Sequence, residues 1–161
     1  MEGERRTVIT PENVSQYVKK GFRVVVETGS GEGAQFSDAD YQKAGATITN
    51  DHKEALSGDL VLKIHPPKED EINMLKPGAR LVSMIRPGLN PELVENLNKR
   101  NVTAFALDCI PRISRAQSFD VLSSMANIAG YKAVIEAASH FGRYFTGQIT
   151  AAGRVPPAKV L

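Results

Sequence analysis

Short apolar segments alternate with helical segments along most of the chain, and this alternation narrows the possible folds more than any other feature. The segments FRVVVE (22–27), DLVLKI (59–64), ARLVSMI (79–85) and VTAFALD (102–108) are typical of buried strands, and ATIT (46–49) is typical of a short one. Helical segments separate each strand from the next. The alternation predicts an α/β fold with a mostly parallel sheet that helices cover on both faces.

Capping residues indicate where some of these helices begin. Thr10 with Pro11 predicts the start of a first helix, because a threonine side chain can cap a helix and proline suits its first turn. Ser37 and Asp40 predict a second helix start, since their spacing is that of a capping box. The longest helix is expected over residues 120–141 and is rich in small side chains, which let another backbone approach closely.

The composition argues against several classes of function. The 161 residues include 20 Lys or Arg and 18 Asp or Glu, a formal charge of only +2, and the basic residues are scattered along the chain. Because Trp is also absent, we expect no nucleic-acid binding. The sequence has neither a signal peptide nor an apolar run of roughly 18 residues, so we expect no direct membrane insertion by this segment.

The residue types that carry nucleophilic or metal chemistry are few. Cys109 is the only cysteine, so no internal disulfide forms, and we expect it to be buried as a small apolar group in a reducing compartment. The three histidines lack metal-ligand spacing, and no nucleophilic serine or cysteine motif is present. The sequence therefore predicts neither a metal site nor catalysis by a nucleophile.

A glycine cluster, TGSGEGAQ, follows the first predicted strand, but its spacing does not fit a phosphate-binding loop. Gly29, Gly31 and Gly33 form G-x-G-x-G rather than G-x-G-x-x-G. The helix that follows begins with acidic residues, which would repel a phosphate group. We therefore expect a mobile turn at this position.

Polar side chains collect where three of the predicted strands end. In open parallel sheets, ligands bind beyond the carboxyl ends of the strands. The segments IHPP (64–67), IRPG (85–88) and DCIPRISRAQ (108–117) all leave such ends. One rim of the sheet is therefore expected to carry His65, Arg86, Arg112, Arg115, Gln117 and Asp120.

The segment PRISRAQSFD (111–120) concentrates directional hydrogen-bonding groups at one strand-to-helix corner. Arg112 offers a rigid fork of donors, Gln117 carries a donor and an acceptor on one amide, and Asp120 accepts when it is ionised. A ring that bears a primary carboxamide matches this set, and nicotinamide is the obvious candidate. In the alternative interpretation, Ser118 or Asp120 only caps the long helix, and Arg112 pairs with Asp120.

The chain also strongly resembles the NAD(H)-binding domain of proton-translocating NAD(P) transhydrogenases, in PRISRAQSFDVLSSMANIAGYKAVIEAA and FGRYFTGQITAAGRVPPAKVL. It resembles the amino-terminal domain that this family shares with alanine dehydrogenases in GERRTVITPENV and KKGFRVVVETGSGEGAQFSDADYQKAGA. The resemblance covers nearly the whole chain. It implies two Rossmann-like lobes with NAD(H) in the cleft between them.

The resemblance also implies a domain organisation. Residues 1–142 correspond to a first lobe, Rossmann-like or flavodoxin-like with three layers, and residues 143–161 to a linker and the first strand of the NAD-binding lobe. We expect an irregular linker at TGQITAAGRVPP and a strand that begins at AKVL. The family's first strand, ahead of its GE-x-R segment, and its Gly-rich dinucleotide fingerprint do not occur in the sequence, so we expect a lobe truncated at both ends.

The resemblance further implies a set of cofactor-binding residues, which are Arg112, Ser114, Arg115, Gln117, Asp120 and Ser123. Arg112, Gln117 and Asp120 match the family residues that hold the nicotinamide ring. Ser123 matches a family serine near the same ring. A solvated or ion-paired surface role for Arg115 fits the sequence equally well.

The implied reaction is direct hydride transfer from NADH to NADP⁺, which a separate domain holds, coupled to proton movement through a membrane domain. Such a reaction asks the loop to position two rings at about 3–3.5 Å rather than to supply an acid. The family also implies a homodimer of this domain. The domain would lie on the soluble face of a membrane enzyme, in the mitochondrial matrix or the bacterial cytoplasm.

Two other functions remain open on the sequence alone. An alanine dehydrogenase would bind pyruvate with Arg, Lys and His, but this chain matches only the arginine, as Arg6, and has His65 and Arg86 at the other two positions. These losses argue against oxoacid chemistry and favour a surface salt bridge for Arg6. The third interpretation is a non-catalytic module that dimerises through the small-residue face of helix 120–141.

Overall fold

The computed structural model describes residues 3–159, in which helices and strands alternate as the sequence predicts. The chain forms two compact units that divide between Pro111 and Arg112. The lobe boundary predicted at residue 142 concerns a longer protein and stays a prediction. The helices are α1 (Pro11–Lys19), α2 (Asp38–Lys43), α3 (His52–Leu56), α4 (Glu69–Met74), α5 (Pro91–Lys99) and α6 (Val121–His140). The strands are β1 (Val25–Glu27), β2 (Thr47–Thr49), β3 (Leu60–Leu62), β4 (Arg80–Ser83), β5 (Thr103–Ala106), β6 (Gln148–Thr150) and β7 (Gly153–Val155).

The strands of the first unit pair in parallel, although each is shorter than the apolar segment that predicts it. β1 pairs with β2, and β4 lies between β3 and β5. The predicted α/β class and parallel pairing are therefore confirmed. The described strands of the first unit form a two-stranded and a three-stranded sheet rather than one continuous sheet, because none of them joins β1 to β3.

The larger core lies around the three-stranded sheet. Leu81 of the central strand β4 is fully buried, and Leu75, which follows α4, is also fully buried. Burying a side chain of this size stabilises a fold by about 1.5–3 kcal/mol. The other buried members of this cluster are Leu56, Val61, Ile72, Ile85, Leu97 and Val102.

A smaller core lies around β1 and β2 and is centred on Tyr41 of α2. The Tyr41 ring is fully buried with Val14 of α1 and Val26 of β1. Its hydroxyl donates to the carbonyl of Ile9 (2.7 Å) and lies 3.0 Å from Oγ1 of Thr7. A buried tyrosine needs such a partner for its hydroxyl, so these contacts fix the segment ahead of α1 against α2.

The two predicted helix caps are both present. The Thr10 side chain accepts from the N–H of Asn13, and Pro11 is the first residue of α1. At α2, the N–H of Asp40 donates to Oγ of Ser37 (3.3 Å), and the Asp40 carboxylate accepts from the N–H of Ser37 (2.9 Å). This reciprocal pair is the capping box that the sequence predicts.

The glycine cluster forms a closely packed turn rather than an open loop. A Cβ atom on Gly31 would lie 2.5 Å from the Tyr41 ring, and one on Gly33 would lie 2.8 Å from Cα of Arg5. Only glycine fits such close approaches without displacing its neighbours. Packing within the first unit therefore explains these glycines, whereas the sequence analysis expected a mobile turn.

The second unit contains the long helix and a hairpin that the sequence analysis missed. α6 ends at His140, one residue short of its predicted end. The expected irregular linker instead forms β6 and β7, which pair antiparallel through a turn at residues 151–152. The β-branched residues of QIT stabilise this hairpin, although the flanking Gly and Pro residues suggested a loop. The strand predicted at AKVL is absent at Ala158 and Lys159, and the rest of it lies outside the described residues.

The prediction that Cys109 is buried is wrong. Its side chain is exposed, because β5 ends at Ala106 and a 3₁₀ turn, Leu107–Cys109, leads the chain away from the sheet.

Across residues 3–159, we find no helix that combines the length and the apolar character needed to cross a membrane.

Candidate cofactor-binding loop

The loop that the sequence analysis singles out folds into a compact turn at the start of the second unit. A short irregular segment leads into a 3₁₀ helix, Ser114–Phe119, which ends at Asp120. The N–H of Ala116 donates to the carbonyl of Ile113 (2.9 Å), and the N–H of Asp120 donates to the carbonyl of Gln117 (3.3 Å). These local hydrogen bonds close two short turns within the segment that carries most of the predicted site residues.

Asp120 joins this turn to α6 as the helix N-cap. Its Oδ1 accepts from the N–H of Ser123 (2.9 Å), and its Oδ2 accepts from the Ser123 hydroxyl (2.6 Å). The bond from the Ser123 hydroxyl, with the Ser123 N–H and the positive charge of Arg112, lowers the pKa of Asp120 below its ordinary value. Asp120 is therefore ionised at neutral pH, and the capping interpretation of this residue is confirmed.

Arg112 and Gln117 offer unused hydrogen-bonding groups beside this cap. Both side chains are exposed, and neither donates a side-chain hydrogen bond to any residue between positions 3 and 159. The expected ion pair between Arg112 and Asp120 does not form, although the Arg112 charge reaches the carboxylate through space. The guanidinium fork and the carboxamide are therefore available to a ligand.

Two apolar side chains of the same loop were missed by the sequence analysis. Ile113 is 54% exposed and Phe119 is 66% exposed, at the two ends of the 3₁₀ helix. Large apolar groups held in water within a polar loop are a feature of surfaces that bind a partner or a ligand. Two large apolar residues among the polar residues from Arg112 to Asp120 were the sequence signal that could have identified them. The remaining candidates, Ser114, Arg115 and Ser123, are exposed as well.

The ionised cap gives a testable pH dependence. Folding lowers the pKa of Asp120, so the ionised carboxylate stabilises the start of α6 at pH values above the ordinary Asp pKa. This stabilisation is lost as the pH falls through the lower pKa of the folded state. We expect the Ser123 amide proton resonance to shift upfield as the pH falls below about 4. The same resonance in Asp120→Asn should show no such step, and identical titrations of the two proteins by NMR would contradict the cap.

Arg6 and His65, at the edge of the first unit, are held by a glutamate that the sequence analysis did not consider. Arg6 donates from Nε (2.8 Å) and Nη2 (2.7 Å) to the two oxygens of Glu4, and Nε2 of His65 lies 2.5 Å from the same carboxylate. The hydrogen bonds from Arg6 hold the pKa of Glu4 well below its ordinary range. The prediction that Arg6 forms a salt bridge is confirmed, and both residues already face an internal carboxylate.

Arg86 follows β4 in an unusual backbone conformation. Its φ is 50°, in the left-handed region, and its N–H donates to the Asp108 carboxylate (2.8 Å). The N–H of Ile85 donates to the other Asp108 oxygen (2.7 Å), so the carboxylate ties the end of β4 to the turn after β5. The expectation that Arg86 and the Arg112 loop share one rim stays a prediction, since they belong to different units.

The groups available in the loop can bind and orient a ligand. Between residues 3 and 159, no three His, Cys, Asp or Glu side chains are placed to hold a metal ion. The loop instead combines a permanent cation, a neutral amide and two apolar side chains beside an ionised helix cap. The first unit has the parallel α/β organisation of the Rossmann-like class, in which ligands generally bind beyond the carboxyl ends of the strands.

The chain belongs to the family described as alanine dehydrogenase/PNT, N-terminal domain, which matches residues 1–129. It is 51% identical over 161 residues to the NAD(P) transhydrogenase subunit alpha of Haemophilus influenzae, covering 100% of this chain and 31% of the relative. It is 34% identical over 127 residues to the alanine dehydrogenase of Bacillus subtilis, covering 79% of this chain and 33% of the relative.

A solved transhydrogenase from Sinorhizobium meliloti shares the fold. It superposes with a TM-score of 0.88 at 40% identity, over 98% of this chain and 47% of that one. The chain therefore spans about a third of the curated relatives and about half of the solved structure. The family confirms the resemblance seen in the sequence.

Proposed function

We propose that this chain is part of the NAD(H)-binding component of an NAD(P) transhydrogenase, which transfers hydride from NADH to NADP⁺ and couples the transfer to proton translocation. The observation that supports this function is the loop itself, in which Arg112 and Gln117 are exposed and unused beside the capped helix. Relatives named as transhydrogenase subunits match more of the chain, at higher identity, than those named alanine dehydrogenase.

The residues of the loop fit the nicotinamide end of NAD(H). Gln117 can pair with the nicotinamide carboxamide in both directions, and Arg112 can donate to its carbonyl oxygen. Ile113 and Phe119 supply apolar surface against which a flat ring can pack. NAD(H) supplies the hydride, while these side chains bind and orient the ring.

Asp120 and Ser123 support this binding by fixing the loop to the start of α6. Each Asp120 oxygen accepts from Ser123, so the carboxylate fixes the end of the 3₁₀ helix to the first turn of α6. Its negative charge also attracts the Arg112 guanidinium across the loop. We infer that Asp120 acts on the ring chiefly by holding the loop that carries Arg112 and Gln117, with Ser114 and Arg115 as further candidate contacts.

We further propose that the complete protein works as a homodimer of this domain with NADP-binding and membrane domains as partners. The second unit supports an assembly, because large apolar side chains of α6 and β6 are left in water, including Tyr131 (71% exposed), Val134 (59%) and Ile149 (81%). Exposed apolar surface of this kind marks interfaces. The domain would lie on the matrix or bacterial cytoplasmic side of the membrane.

The alanine dehydrogenase alternative is less favoured because of the contacts at Arg6 and His65. Both residues face the Glu4 carboxylate, and neither the lysine nor the histidine expected of that activity is present. A substrate carboxylate at this position would have to displace Glu4 from the Arg6 guanidinium.

The complete gene product distinguishes these functions in one assay. We expect hydride exchange between NADH and an NADP⁺ analogue, followed by absorbance, and no NAD⁺ reduction when L-alanine is supplied instead. Alanine-dependent reduction without exchange would favour the alternative. Absence of both activities, with NADH binding also absent, would favour a non-catalytic module.

A further inference from the structure

The two sheets of the first unit are connected through side chains at α3. No backbone ladder joins β1 to β3 within the described strands, whereas α3 packs against β1, β2 and α4. His52 is the first residue of α3, and its ring lies between a carboxylate from each side. This position makes His52 the point at which the two parts of the unit can be held together.

Both nitrogens of the His52 ring face carboxylate oxygens. Nδ1 lies 3.0 Å from Oε1 and from Oε2 of Glu27, the last residue of β1. Nε2 lies 3.2 Å from Oε1 of Glu71 in α4. An imidazole donates from both nitrogens only when both are protonated, and a neutral ring would direct a lone pair at one of the two carboxylates.

We propose that His52 is a protonation-dependent clasp that joins β1 to α4 when the ring is charged and releases one of them when it is neutral. The clasp lies at the carboxyl ends of both sheets. Glu27 ends β1, and Lys63, which also contacts Glu71, directly follows β3. Ligands of parallel α/β folds bind beyond such strand ends, and the clasp lies at that same edge of the first unit.

The two carboxylates differ in how firmly they are held, which decides where the clasp opens. Glu71 is buried and accepts from Nζ of Lys63 (2.5 Å) and from the N–H of Lys68 (2.6 Å) as well as from His52. Burial alone would raise the pKa of Glu71, but the bond from Lys63 and the other donors lower it, so this carboxylate stays ionised and fixed.

Glu27 is the weaker partner. Its side chain is 41% exposed, and within the described chain its carboxylate forms no hydrogen bond or ion pair other than that with His52. Water can solvate it at little cost when the ring turns neutral, so the contact between His52 and Glu27 is the one that opens.

The remaining charged groups near α3 do not compete for the ring. Glu54, on the same helix, accepts from Oγ1 of Thr49 in β2 (2.6 Å) and pairs with Arg23 (3.5 Å). Asp51 accepts from the N–H of Lys53 as the N-cap of α3. The charged groups that contact the ring are therefore Glu27 and Glu71, and Lys63 contacts Glu71 in turn.

The variant Glu27→Gln tests the clasp in the full chain. Imidazole side chains change charge between about pH 5 and pH 8, so urea unfolding is followed by circular dichroism near these two values. We expect Glu27→Gln to lower the folding equilibrium constant by roughly two- to fivefold near pH 5 and to leave it unchanged near pH 8. Glu32→Gln removes an exposed glutamate whose side chain forms no hydrogen bond or ion pair within the described chain, and it should have no effect at either pH.

A second measurement reports the ring directly. In ¹⁵N NMR spectra of the His52 ring, the protonation of each nitrogen is followed over the same pH range, and we expect the contact with Glu27 only where both nitrogens carry protons. The proposal is overturned by an equal loss of stability in Glu27→Gln at both pH values, by no loss at either, or by a ring that carries one proton throughout.

Discussion

Replacing Arg112 by alanine in the complete enzyme is expected to slow hydride transfer by about a hundredfold, because small errors in the placement of a reacting ring cost that much. Arg112 is exposed and donates to no residue of the described chain, so its removal leaves no protein group unpaired. We therefore expect the urea unfolding midpoint to stay unchanged. The measurement pairs single-turnover hydride exchange with equilibrium unfolding of the same preparations.

Two further variants sharpen this prediction. Arg112→Lys keeps the charge but loses the planar fork, so an intermediate rate is expected if directional donation matters. Arg80→Ala removes another exposed arginine, at the amino end of β4, and should leave the rate unchanged. Unchanged turnover in Arg112→Ala would remove this residue from the proposed site, while an equal loss in Arg80→Ala would attribute the effect to overall charge.

Replacing Leu81 by alanine is expected to destabilise the first unit by about 2–5 kcal/mol, through lost burial and the cavity left behind. Leu81 is fully buried in the central strand of the three-stranded sheet, where strands on both sides limit the collapse of the site. Because the chain has no Trp, circular dichroism in urea is the suitable measurement.

Leu89 provides the matched control for this substitution. It is 77% exposed, so Leu89→Ala should change the free energy of unfolding by no more than about 0.5 kcal/mol. A similar loss for the two variants would mean that the packing around β4 is not the main source of stability in this unit.

The helix starts could be predicted well because their signals are local. Thr10 caps α1 and the Ser37–Asp40 pair caps α2 as expected, since a capping side chain bonds to a backbone group only two or three residues away. The apolar segments located the strands of the first unit but predicted them to be longer than they are. An apolar run shows what is buried, whereas the ends of a strand depend on where its neighbours stop pairing.

The errors arose where burial or pairing is decided by distant contacts. Cys109 is exposed because the chain leaves the sheet after Ala106, and nothing in the flanking residues reveals that exit. The hairpin at β6 and β7 was missed because Gly and Pro punctuate it, although a turn is also what a hairpin requires. The contact between Glu4 and His65 was missed because 61 positions separate them, whereas the pairing of Glu4 with Arg6 is local and could have been found in the sequence.

The sequence gives the residue types of the candidate loop, but it does not show which of them cap the helix and which stay exposed to a ligand. The amide of Gln117 and the fork of Arg112 are properties of single residues. That Asp120 is occupied by Ser123 while Arg112 makes no ion pair with it required coordinates. The capping interpretation is confirmed for Asp120, while the binding interpretation of Arg112 and Gln117 stays a prediction.

The sequence by itself determined the class of fold, the local caps and the chemistry of the loop, because periodicity, capping and side-chain donors act over a few residues. Only the tertiary structure decided that β1 and β3 are not paired within the described strands, that Glu4 contacts His65, and that His52 lies between Glu27 and Glu71. Such contacts depend on the packing of segments far apart in the chain, and no local pattern of residues encodes that packing.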